Sequence, residues 1–336
     1  MTSRERVIKT LTFDHPDRAP RDLWALPGTQ HGQKKDIDTL LARYPLDIGK
    51  TSSSPGTNKT ALDDPTRVGT YTDEWGSLWA RAEPGVIGEV KCPAITTYAA
   101  LKTYQPPWDL IHKRTFDDIN RTCDKSNQFM LSAVTARPFE RLQFLRGSEA
   151  LFIDIAEDSA EFRSLLSMVH DFYLEDIRGW CNTNVDAIAM MDDWGAQQSL
   201  LISPQTWRAV FKPLYRDYCN LIHSAGKYAF FHTDGFTEPI LGDLIEVGMH
   251  AINAQLFTMN IERLSEQFKG KVTFWGEIDR QHILPFGTPE DVRQAVLRVR
   301  RTLDDGTGGV IAQCEWGIQN PPQNIQTVFQ TWLEPL

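Results

Sequence analysis

Four groups of residues in this chain have the types and spacing to do chemistry. His232-Thr-Asp234-Gly235 closes the apolar run Tyr228-Ala-Phe-Phe231, and Cys314 closes Gly309-Val-Ile-Ala-Gln313. Glu277 follows the run that ends at Trp275, and Asp192-Asp193-Trp-Gly follows Ala187-Ile-Ala-Met-Met191. Residues two apart in an extended segment face the same way, so His232 and Asp234 can point into one cavity. With Cys314 and Glu277 arriving from other strand ends, one imidazole, one thiolate and one or two carboxylates would form a zinc shell with a position left for substrate. The spacing alone also admits a plainer reading, and favours it. In that reading His232 hydrogen-bonds inside the fold and Cys314 is a small buried hydrophobe.

The adjacent acids Asp192 and Asp193 are hard to explain by solubility directly after an apolar strand. At least one is expected to face the cavity, orienting a ligand or working as an acid or base. The alternative is that one carboxylate caps the next helix and the other meets an arginine. Function is favoured for Asp193. Arg137 and Glu140 admit an anion site or an ion pair, and the pair is favoured. Trp75, Trp79, Trp194, Trp275 and Trp316 lie near these ends, where some could wall a cavity while most belong to the core.

The elements that must position these groups follow a regular rhythm in the second half of the chain. Short β-rich runs at 129–134, 187–191, 228–231, 250–253, 272–275 and 309–312 alternate with helical patterns over 159–182, 204–223, 237–247, 261–268 and 289–303. Such alternation predicts a parallel sheet covered by helices. Polar residues stand just after successive runs: Arg137 and Glu140, Asp192-Asp193, His232-Thr-Asp234, Gln255, Glu277-Ile-Asp279 and Cys314-Glu315. A (β/α)8 barrel gathers its active site at its strand C-termini, and no Gly-x-Gly-x-x-Gly turn argues for an open nucleotide-binding sheet. The expected fold is therefore a single (β/α)8 TIM barrel over residues 1–336. Thr2-Ser-Arg-Glu5 has capping-box spacing and predicts a helix over 3–12. From His15 to about residue 106 the text is irregular, with strand-like pieces at 70–79 and 85–90, and reads as an elaborated N-terminal region lying across the barrel's front.

Composition excludes several partners. With 44 acidic against 35 basic residues, the net charge is −9, which repels nucleic acid and anionic lipid heads. No stretch approaches the ~20 apolar residues of a membrane span, and no apolar leader opens the chain. Five cysteines without paired spacing give no disulfide framework. A reducing, cytoplasmic setting is expected.

The ordered motifs resemble the uroporphyrinogen decarboxylase superfamily, and within it the branch of methyltransferases that work with corrinoid proteins. They are Ser3-Arg-Glu-Arg-Val with His15-Pro-Asp-Arg-Ala-Pro, Asp73-Glu-Trp-Gly, Asp192-Asp-Trp-Gly with Leu201-Ile-Ser-Pro, and Phe231-His-Thr-Asp-Gly. Asp243-Leu-Ile-Glu-Val-Gly, Trp275-Gly-Glu-Ile-Asp, Gly287-Thr-Pro-Glu-Asp-Val and Pro322-Gln-Asn-Ile complete the set. The resemblance covers nearly the whole chain and implies a single (β/α)8 barrel.

True uroporphyrinogen decarboxylases carry an arginine-rich Arg-Gln-Ala-Gly-Arg segment that grips substrate carboxylates, where this chain has Arg21-Asp-Leu-Trp-Ala-Leu-Pro-Gly-Thr-Gln30. The missing arginines count against porphyrinogen decarboxylation. The methyltransferase branch holds zinc with a His-x-Cys pair and a later Cys. Here His232 matches the His and Cys314 the later Cys, while Asp234 stands in the place of the middle Cys.

Two consequences of that substitution compete: Asp234 or Glu277 supplies an oxygen ligand, or the metal is lost and His232 with Asp234 moves protons. The first is favoured because Cys314 and Glu277 both remain at strand ends. The expectation is a methyltransferase using zinc, with His232, Cys314, Glu277 and Asp234 as ligands and Asp192, Asp193 and Asp234 as catalytic acids. It would move a methyl group between cobalamin on a corrinoid protein and a small thiol, pterin or methylated substrate. The alternatives are a lyase acting on another carboxylated ring compound and a non-catalytic barrel that binds a corrinoid protein or small ligand.

Overall fold

Two strands of the barrel lie where the sequence suggests only irregular excursions. The computed structural model describes residues 1–51, 68–84 and 88–335. Among the described residues eleven strands run in chain order: β1 (Arg21–Ala25), β2 (Ile48–Lys50), β3 (Gly69–Thr72), β4 (Leu78–Arg81), β5 (Glu89–Cys92), β6 (Phe129–Val134), β7 (Ala187–Met191), β8 (Tyr228–Thr233), β9 (Ala251–Ala254), β10 (Thr273–Trp275) and β11 (Val310–Trp316). Eight of them pair in parallel in the order β1-β11-β10-β9-β8-β7-β6-β2, with helices outside, making a (β/α)8 barrel. The six apolar runs of the second half are β6 to β11. Strands β1 and β2 evade a search for apolar runs because β1 carries Asp22 and Trp24 on its inner side and β2 is three residues long. The true excursion is the antiparallel β3-β4-β5 sheet. The strand-like piece at 70–79 is the end of β3, a turn and the start of β4, while residues 85–87 of the other piece lie outside the described residues.

The helical pattern over 204–223 is two helices, Pro204–Val210 and Lys212–Ser224. Pro213 has no N–H for an i−4 carbonyl, so a new first turn begins there, where proline is tolerated. Ser3–Leu11 is helical, with the reciprocal Thr2 and Glu5 capping box in place. Its Val7 and Leu11 reach into the lower end of the barrel and pack with Ile48, Phe129, Leu131, Ala187, Phe230, Ala251, Trp275 and Ile311.

That inner set fixes the facing of every barrel strand. Side chains alternate along a strand, so the neighbours of Ile311 at 313 and 315 share its inward face, while 310, 312, 314 and 316 face the helices. Val310, Ala312, Cys314 and Trp316 accordingly belong to the outer core between sheet and helices.

Asp47 closes the seam between β1 and β2. Its N–H donates to Arg21 O (2.9 Å) and its Oδ2 accepts the Arg21 N–H (2.7 Å). The same buried carboxylate accepts from Arg6 Nη1 (2.6 Å), Arg18 Nη1 (2.7 Å) and Ser3 Oγ (2.8 Å). Burial pushes its pKa up, but Arg18, the Arg21 N–H and Ser3 outweigh it and hold the group below the ordinary aspartate value. Removing one partner of a buried ion pair strands the other, so Asp47→Asn is expected to lose about 3–5 kcal/mol in urea unfolding at pH 7. Because the folded pKa is depressed, this contribution is present above the unfolded value near ~4 and fades as pH falls through the folded one. The gap between wild type and variant should therefore narrow in acid.

Candidate metal and acid–base site at the barrel mouth

His232 is the last inward residue of β8. It is buried, with Nδ1 2.7 Å from Asn253 Oδ1 on β9. Its other nitrogen, Nε2, faces two carboxylates: Asp234 Oδ1 at 3.4 Å and Asp193 Oδ1 at 3.8 Å. One donor atom from each of Asp193, His232 and Asp234 lies within 4.8 Å of the others, and this is the only such His/Cys/Asp/Glu group among the described residues. Trp24 from β1 packs edge-on against the imidazole with ring centroids 4.9 Å apart.

The two aspartates meet because the loops after β7 and β8 are pressed together backbone to backbone. Gly195 N–H donates to Asp234 O (3.0 Å), Phe236 N–H to Ala196 O (2.8 Å), and Asp234 N–H to Asp193 Oδ1 (3.0 Å). Gly235 has φ +76°, and a Cβ there would stand 2.2 Å from Gly195 O. Only glycine fits, which gives the Asp-Trp-Gly and Thr-Asp-Gly sequences a physical meaning.

Asp234 and Asp193 differ in their second contacts. Asp234 Oδ2 pairs with Arg280 Nη2 at 2.5 Å, while its Oδ1 is buried and accepts no hydrogen bond. Arg280 also meets Glu277 Oε1 (3.3 Å) and Glu315 Oε2 (2.9 Å). Burial and the neighbouring Asp234 push the Asp193 carboxyl up, against His232. Burial likewise raises Glu277 and Glu315, with Arg280 opposing in both. Several carboxylates are thus crowded around one guanidinium, a setting that an added cation would relieve.

Not every expected residue joins this group. Cys314 faces the helix layer on the far side of β11, paired in register with Leu23. Burial, with the nearby carboxylates, raises its thiol. The strand end carries it to the right height, but strand parity turns it away. Glu277 is buried against Arg280 beside the cluster rather than in it.

Asp192 is fully buried and also faces away from the mouth. Its carboxylate accepts from Phe139 N–H and Glu140 N–H, both at 2.8 Å, and from Tyr215 Oη at 2.6 Å. It caps the helix Pro138–Arg146, which precedes it in the chain, rather than the next helix that the sequence offered for one of the two acids. Asp193, rather than Cys314 or Glu277, brings the third donor atom beside His232 and Asp234. Arg137 and Glu140 stand 3.8 Å apart as an ion pair. Of the five tryptophans near the strand ends, Trp194 and Trp316 are fully buried and Trp75, Trp79 and Trp275 nearly so. Trp24, Asn253 and Arg280 were not among the candidates. A lone polar residue inside Ala251-Ile-Asn-Ala254 was the available signal for Asn253, and the i+3 spacing from Glu277 the one for Arg280.

The residues present fit a divalent cation. An imidazole nitrogen and two carboxylates converge, and one buried oxygen has no donor of its own, as expected for harder N/O coordination.

A family model described as Uroporphyrinogen decarboxylase (URO-D) matches residues 81–334. The chain belongs to this family. Among solved structures, the URO-D chain is similar to a methyltransferase from Methanosarcina mazei, with a TM-score of 0.70 at 14% identity, over 99% of this chain and 98% of that one. A glycosylated endo-beta-1,4-xylanase from Gloeophyllum trabeum gives a TM-score of 0.48 at 9% identity, over 97% of this chain and 99% of that one. A comparison of the sequence with curated proteins found no match. No helix among the described residues of this URO-D chain is long and apolar enough to cross a membrane.

Two substitutions separate the site from its scaffold. Gly235→Ala is expected to push the two loops apart, lowering metal affinity in calorimetry while the helical circular dichroism persists. Asp192→Asn keeps the shape but weakens three hydrogen bonds, with an expected loss of about 1–3 kcal/mol in unfolding.

Proposed function

We propose that this protein is a methyltransferase that moves a methyl group between the corrinoid of a partner protein and a small acceptor, with zinc held by His232, Asp193 and Asp234. The observation that carries this reading is the convergence of those three donors at the mouth, with Asp234 Oδ1 buried and without a donor. When bound, zinc would act as a Lewis acid and favour the thiolate form of a thiol acceptor, the nucleophile that takes a methyl group. The residues of the chain do the rest. A thiol must shed its proton, and Asp193, partly open to solvent, is placed to take it and pass it to water. A pterin acceptor, whose ring N–H becomes N–CH3, would likewise give its proton to this carboxylate, and only a methylpterin donor would use it in the opposite sense, as the acid. Arg280 holds Asp234 by one oxygen and leaves the other pointing at His232. Five free cysteines suit a cytoplasmic setting.

Porphyrinogen decarboxylation finds less support. The inward residues of β1 are Asp22 and Trp24, while its arginine, Arg21, lies over the Tyr44 ring in the outer layer at 5.6 Å. No guanidinium of β1 therefore reaches the mouth to grip a polycarboxylate substrate.

Elemental analysis of the purified protein and a methylcobalamin turnover assay with thiol and pterin acceptors test the proposal. Stoichiometric zinc and acceptor-dependent demethylation are expected. His232→Ala and Asp234→Asn should each lose the zinc and the turnover, whereas Cys314→Ala should keep both. Turnover in a zinc-free protein, or zinc lost with Cys314→Ala, would remove this reading.

A further inference from the structure

The inward face of β9 beside His232 decides which nitrogen of that imidazole carries the proton. Asn253 is fully buried on β9 and its amide has three neighbours. Its Nδ2 donates to the carbonyl oxygen of Trp275 and to Gln313 Oε1 (3.2 Å), and its Oδ1 lies 2.7 Å from His232 Nδ1. A backbone carbonyl can only accept, so the amide nitrogen must be the group facing Trp275, and the flipped amide would set two oxygens against each other. The group left for His232 is then an acceptor, and a nitrogen 2.7 Å from a pure acceptor must donate.

We propose that Asn253 is a positioning residue that holds His232 in its Nδ1–H tautomer, so that Nε2 presents a lone pair to the mouth whether or not a ligand is there. A neutral imidazole has one donor and one acceptor nitrogen, and the hydrogen bond made by one fixes the role of the other. The inference rests on the metal reading only for its consequence, because a lone pair at Nε2 is what both a cation and a proton need. The amide itself cannot titrate. It keeps the same role across the pH range in which a carboxylate partner would gain or lose charge, and it adds no further negative charge to an already acidic mouth. Outer residues that orient a ligating histidine in this way are worth roughly 10–100-fold in metal affinity.

The test reads the tautomer directly in metal-free protein. Long-range 1H–15N NMR of histidine-labelled protein at mildly alkaline pH, with the His232 signals assigned by their absence in His232→Gln, should show Nδ1–H in the wild type. Asn253→Leu should lose that preference and bind zinc about 10–100-fold more weakly by competition with a chromophoric chelator. Asn253→Asp, which retains the acceptor, should restore the Nδ1–H pattern. An Nε2–H tautomer in the wild type overturns the proposal, as does an unchanged tautomer in a folded Asn253→Leu. Should Asn253→Leu fail to fold, the wild-type and Asn253→Asp spectra still decide. A wild type that binds no zinc yet shows Nδ1–H, lost in Asn253→Leu, upholds the role of Asn253 and removes the metal reading instead.

Discussion

The close backbone contact between the loops after β7 and β8 is the constraint on which the site depends. Two glycines, Gly195 and Gly235, let the chains approach until the Gly195 N–H reaches Asp234 O and the Asp234 N–H reaches Asp193 Oδ1. Nothing larger fits. Once the loops are so joined, the two carboxylates have no choice but to flank the last inward residue of β8, which is His232. Behind that contact Asp192, Tyr215 and the amides of the helix Pro138–Arg146 form a buried network. It fixes the β7 loop from below, so the adjacent acids at 192 and 193 divide the work between scaffold and mouth.

Charge is the second organising theme. Asp234, Glu277 and Glu315 gather around one guanidinium with Asp193 beside Asp234, and burial makes ionisation harder for Asp193, Glu277 and Glu315. A solvated surface would tolerate such crowding easily. A recessed mouth does not, and a cation among the carboxylates is the direct relief. The asymmetry of Asp234, one oxygen held by Arg280 and the other buried without a donor, points that relief towards His232 Nε2.

Much of this was legible in the residues themselves. Six barrel strands announced themselves as apolar runs because their inner and outer faces are both buried, and each ended beside a polar residue. His232 and Asp234 were found by period-two spacing, and that pairing holds in space. The same rule, applied one residue further, would have warned against Cys314. The inward partners on β11 are Ile311, Gln313 and Glu315, but a run read only for its end does not reveal its phase. Strands β1 and β2 stayed hidden because polar inner residues and short length erase the apolar signal. Arg280 and Asn253 could be read as polar but not as placed, since apart from Glu277 beside Arg280 their partners lie on other strands or in the loops after them. Long-range pairing of this kind leaves no local mark.

The central claim is that a cation sits among His232, Asp193 and Asp234, and anomalous diffraction at the zinc absorption edge from a zinc-loaded crystal tests it most directly. A single strong anomalous peak bonded to His232 Nε2 and both carboxylates is the outcome expected. A peak bound to the Cys314 sulfur, or none at the mouth with zinc in excess, would contradict it.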